Sequence, residues 1–69
     1  MLNQDQVKHA FRVTFDMFAK YYPPKNDADY FMEVMDEIDH LTRSDPDNLL
    51  VQYLLMGVYE FFNTEAKIQ

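Results

Sequence analysis

Glu37-Ile38-Asp39-His40 sets a glutamate and a histidine three residues apart on one side of a helix. Helical bundles use this Glu-x-x-His spacing to hold pairs of iron or manganese ions, and a complete site needs two such motifs and two further glutamates. The chain holds one, so a symmetric dimer would have to supply the second and bury the acidic side of the helix. That arrangement, a metal-binding protein or enzyme, is the alternative reading. The simpler one is a solvated ridge whose histidine suits the negative end of the helix dipole, and it predicts no metal and no cofactor. His9 lies four residues after Asp5, a pairing capable of acid–base chemistry. No nucleophile accompanies it: there is no cysteine, and the one serine, Ser44, falls at a turn. The one glycine, Gly57, cannot make a phosphate-binding loop. The expectation is therefore a protein that is not an enzyme.

The residues concentrate charge instead. Asp29, Glu33, Asp36 and Glu37 share one side of a helical pattern, with His40 at the end of the row. Phe31, Val34, Met35, Ile38 and Leu41 share the other side. The net charge is −6, and most of the excess lies between Asp27 and Asp39. The ridge has two readings. One is solvation, with Lys8, Arg12 and Lys20 of the preceding segment as counter-charges. The other is a surface for a basic protein, including one whose nucleic-acid groove the spaced carboxylates would occupy. Direct binding to nucleic acid is opposed by the sign of the charge.

Aromatic residues make up 16% of the chain, six Phe and five Tyr, more rings than a core of this size easily encloses. Tyr and Met are enriched at interfaces, so Tyr53, Met56 and Tyr59 are the candidate apolar interface and a homodimer is expected.

Three helical patterns position these groups. The first spans about 4–22. Asn3 and Gln6 have capping-box spacing, and Leu2 and Val7 the spacing of a hydrophobic staple. Arg12–Asp16 and Asp16–Lys20 are spaced to pair along it. Pro23 and Pro24 stop it. The second spans about 28–42 and opens after Asn26 or Asp27. The third spans about 46–63, with Asp45 as N-cap and Pro46 as first helical residue. Its wide apolar arc predicts the central place, and Gly57 in its middle predicts close packing against a ring or helix.

The predicted fold is thus all-α, a single small three-helix bundle over 1–69 with helix three central. Its expected core takes Val7, Phe11, Phe15 and Phe18 from the first helix, and Phe31, Val34, Met35, Ile38 and Leu41 from the second. Helix three adds Leu50, Leu54, Leu55, Val58, Phe61 and Phe62. The most apolar run, Leu49 to Phe62, holds Gln52 and Glu60 and is too short to span a membrane. With no basic region and apolar run at the start, a cytoplasmic protein without a membrane partner is expected.

Asp45-Pro46-Asp47-Asn48, followed by Leu55, Gly57 and Tyr59, resembles the junction between two tetratricopeptide repeats. The glycine comes one residue late and the small residues of the repeat are missing, so only a helix-turn-helix likeness carries over. Phe15-Asp16-Met17-Phe18, Tyr30-Phe31 and the run Leu49 to Glu60 resemble small acidic helical proteins carried by prophages and conjugative elements of low-GC bacteria. That resemblance implies an inhibitor or adaptor acting on host machinery. A structural subunit of a larger assembly is the remaining alternative.

Overall fold

The computed structural model describes residues 1–68, which form three helices: α1 (Gln4–Tyr21), α2 (Ala28–Ser44) and α3 (Leu49–Ile68). Among the described residues no helix is long and apolar enough to cross a membrane. Both ends of α1 are where the sequence predicts them to within a residue. The Asn3 side chain accepts from the Gln6 N–H and the Gln6 side chain accepts from the Asn3 N–H, each at 2.8 Å. At the other end the Tyr22 N–H donates to the Phe18 carbonyl at 2.9 Å and the chain turns through Pro23 and Pro24, with a cis Tyr22–Pro23 peptide. Asp27 caps α2, its carboxylate accepting from the Asp29 N–H at 2.9 Å.

The start of α3 differs from its predicted place. Asp45 and Pro46 do not open the helix. Residues 45–48 form a turn closed by a 3.1 Å bond from the Asn48 N–H to the Asp45 carbonyl, and the helix begins at Leu49. The physical reason lies in Asn48, which is fully buried. Its Nδ2 donates to the Gln6 carbonyl and to the Asp45 carboxylate, both at 3.0 Å. A flipped amide would set its oxygen against those two acceptors, so the network fixes the orientation. This tie anchors the start of α3 to the start of α1. Phe18, near the end of α1, meets Phe61 and Phe62 near the end of α3. The two helices therefore run parallel, α2 is antiparallel to them, and α3 packs against both of the others.

The core is narrower than the apolar pattern. Ala10 and Met17 are the buried residues of α1, two turns apart on one row. Phe11 and Phe15, expected inside, are exposed, as are Met35 and Phe61. The apolar stripe of α1 is wider than the seam between two neighbours. The row of small or flexible side chains takes the close contact, and the rings are pushed to the flank. From α2 the core takes Tyr30, Val34 and Ile38, and from α3 Val51, Leu55, Phe62 and Ala66. Gly57 lies in the middle of α3 as expected but without the expected close packing: among the described residues beyond its own helical turn, a Cβ built on it meets nothing within 4 Å. No neighbour among the described residues explains a residue that costs a helix about 1 kcal/mol relative to Ala.

Phe62 joins the three helices. Its ring lies 5.3 Å from that of Phe18 and 6.2 Å from that of Tyr30, and it is wholly buried. The Tyr30 hydroxyl donates to the Tyr21 carbonyl at 2.9 Å, which ties α2 to the end of α1. Phe62→Ala should therefore lower the unfolding free energy by about 3–5 kcal/mol. Tyr30→Phe, which removes one hydrogen bond and keeps the ring, should lower it by about 1 kcal/mol. Urea unfolding followed by circular dichroism checks both, and equal losses would contradict the hub role of Phe62.

Candidate functional site

α2 carries its acidic residues as the sequence predicts, but the four do not act alike. Asp29, Glu33 and Asp36 are exposed, at steps of four and three along one ridge. Glu37 lies at the inner edge of that ridge and faces α1. There Lys20 Nζ donates to its Oε1 at 3.0 Å and the Tyr21 hydroxyl donates to the same oxygen at 3.3 Å. Among the described residues the ion pairs are Lys20–Glu37 and Arg43–Asp39, the latter at 3.2 Å. The expected Arg12–Asp16 and Asp16–Lys20 pairs are not formed. Lys20 instead reaches across the helix seam to Glu37, whose side chain is less exposed than its own. Lys8 and Arg12 likewise leave the ridge without counter-charge.

Lys20, Tyr21 and the neighbouring Tyr30 are perturbed in one direction. Lys20 is raised above its ordinary value, first by its hydrogen bond to Glu37 and then by the charge of that carboxylate. The Tyr21 hydroxyl is raised by burial and then by Glu37, and that of Tyr30 by burial and then by Tyr21.

The outer side of the ridge borders a groove between α2 and α3. Two neighbouring recesses of about 430 and 390 Å³ share Met35 as a common wall. Met32, Met35 and Met56 line them and are 65%, 39% and 46% exposed. Phe31 and Tyr59 form the floor at one end, their rings 6.0 Å apart. Asp36 and Asp39 line the same groove, with Arg43 at the far end. From Ala28 to Arg43 the groove follows about 22 Å of α2 at 1.5 Å per residue. Periodicity alone places Met35 in the core, whereas in the structure it is exposed at the groove. The available signal was the spacing of Met32 and Met35, which puts both at one border of the apolar arc beside the acidic row.

The three residues of the expected apolar interface do not share one face. Met56 and Tyr59 both line the α2–α3 groove, Tyr59 half-buried against Phe31, while Tyr53 points outward from α3. The Glu37–His40 pair is likewise divided, with Glu37 held by Lys20 and Tyr21 and His40 exposed. Among the described residues no three His, Asp or Glu side chains converge on one point. Asp5 and His9 are both exposed and make no ion pair with one another.

The raised Lys20, Tyr21 and Tyr30 give a pH dependence with a definite sign. Each binds its proton more tightly in the folded chain than in the unfolded one. Their contribution is full below the unfolded values near 10 and is lost as pH rises through the folded values. The urea midpoint should therefore fall on going from pH 9 to pH 11. Tyr21→Phe and Tyr30→Phe together should flatten that fall. A midpoint that rises across this range would contradict the arrangement.

Comparison with protein-family models, with curated proteins and with solved structures finds no match to this chain.

Proposed function

We propose that this chain is a non-enzymatic protein-interaction module that takes a basic amphipathic helix of a partner protein into the α2–α3 groove. The observation that carries the reading is the combination of three solvent-facing methionines and two carboxylates along one groove. Unbranched, polarizable methionines adapt to varied apolar side chains, which suits the one-face anchors of a helix laid in a groove. Asp36 stands where the basic border of such a helix would run, Asp39 beyond it is shared with Arg43, and Asp29 and Glu33 extend the same field along the ridge. A net charge of −6 favours fast, steered encounter with a basic partner and repels free nucleic acid. The resemblance to small proteins of prophages and conjugative elements supports an inhibitor or adaptor role, acting on a basic or nucleic-acid-binding host protein. A Glu37–His40 metal site is less favoured, because Glu37 already answers Lys20 and Tyr21.

The test uses a Leu/Lys amphipathic peptide of about 16 residues, long enough to run the groove at 1.5 Å per residue. It should bind, with association slowing as salt rises. Asp29→Asn, Glu33→Gln and Asp36→Asn together should slow association about tenfold at low salt, on the scale of steering effects. Met32→Ser with Met35→Ser should speed dissociation instead. A peptide of the same composition scrambled to lose its apolar face should bind at least tenfold more weakly. Equal binding of the scrambled peptide, or no response to either set of variants, would contradict the groove.

A further inference from the structure

A second surface lies on the other side of α3. Tyr53, Gly57 and Phe61 follow one another at four-residue steps along its outer face, so a glycine sits between two rings. Among the described residues beyond its own helical turn, nothing comes within 4 Å of where its Cβ would be. On α1, Phe11 and Phe15 stand exposed on the flank that turns toward this part of α3. The contact of Phe18 with Phe61, at 5.9 Å between centroids, identifies that flank. The parallel register follows from Asn48 on Gln6 and Phe61–Phe62 on Phe18. It brings Phe15 level with Gly57. The rings of one helix and the notch of the other therefore lie side by side, facing solvent.

We propose that two copies of this chain associate through this α1–α3 face, the Phe15 ring of each seated at Gly57 of the other. Under a two-fold axis parallel to the helices, α1 of one copy lies over α3 of its partner and the level along the bundle is preserved. The match of Phe15 with Gly57 within one chain is then reproduced between chains. Three further observations favour a second copy as the occupant.

The first is area. Phe11, Phe15, Tyr53 and Phe61 are 56%, 69%, 74% and 43% exposed. At roughly 200 Å² for a whole large ring, they present on the order of 500 Å². That is more than half of the about 800 Å² that each partner contributes to a standard interface. The chain as a whole exposes 5049 Å², against about 4600 Å² for a folded monomer of its mass. The second is charge. With Lys20 held by Glu37, α1 is left with two basic and two acidic residues, and α3 carries one basic against two acidic, so this face bears little net charge to oppose a second copy. The acidic ridge of α2 lies on the opposite side of α3, and the two ridges of such a dimer point away from each other. The third is Gly57 itself, which the single chain gives no packing reason to hold and which a ring from a second copy would need.

This face is separate from the α2–α3 groove, and its test is separate from peptide binding. Sedimentation of the full chain between about 1 and 100 µM should show a reversible dimer of twice the 8.3 kDa chain mass. Gly57→Leu fills the notch with a better helix former. It should weaken self-association at least tenfold while leaving the melting temperature of the dilute monomer unchanged or raised. Phe15→Glu should weaken association to a similar degree with circular dichroism unchanged, and neither variant should alter peptide binding per chain. Wild-type protein that stays monomeric throughout this range would overturn the proposal. So would a dimer indifferent to both substitutions.

Discussion

Closing three short helices around one buried ring is the constraint on which the rest of this molecule depends. Among the described residues Phe62 is the only large ring that is fully enclosed, and it touches rings from both other helices. In a chain of 69 residues a single core is marginal, and one central aromatic uses the available interior. The remaining rings are then distributed by geometry. Phe18, Tyr21, Phe31 and Tyr59 pack half-buried around the core, while Phe11, Phe15 and Tyr53 are left outside. A small core that closes on one ring leaves an apolar surplus on its surface, and that surplus falls on particular faces.

The polar groups repeat the same division. Asn48 and Tyr30 use hydrogen bonds to carbonyls of α1 to fix where α3 begins and where α2 lies. Glu37, with Lys20 and Tyr21, closes the α1–α2 seam. The other carboxylates of α2 are not needed for any of this. The α2–α3 and α1–α3 sides of the bundle therefore carry two unlike chemistries. One is methionine with carboxylate, suited to a basic helix. The other is ring with notch, suited to a second copy. They share α3 and no face.

The fold was legible in the sequence wherever local chemistry decides it. The capping box at Asn3, the Asp27 cap and the double proline mark boundaries that the structure keeps within a residue or two. The order of helices and the central place of α3 follow from periodicity and from the width of its apolar arc. What periodicity does not carry is which row of a wide stripe faces the seam. Ala10 and Met17 lie inside while Phe11 and Phe15 lie outside, because close approach of helices selects by size as well as by hydrophobicity. The later start of α3 escaped for a related reason: Asp45-Pro46 is a good local start signal, and a bond from Asn48 to a carbonyl 42 residues away overrides it. The acidic ridge was legible as a row, but the diversion of Glu37 to Lys20 depends on the placement of α1. The groove was legible only in its parts, since neither Met32 nor Met56 marks a groove until α2 and α3 are set side by side.

Amide chemical shifts of the full chain test most directly the claim that one ring closes the core and leaves two independent surfaces. Spectra would be recorded at low and high protein concentration and, at low concentration, with and without the Leu/Lys peptide. Raising the concentration should move the signals of Phe11, Phe15, Gly57 and Phe61. Adding the peptide should move those of Met32, Met35, Asp36 and Met56. Phe62 should hold its position in both. Shifts that overlap on one face, or that spread through Phe62 and its neighbours in either titration, would contradict a closed core with two separate surfaces.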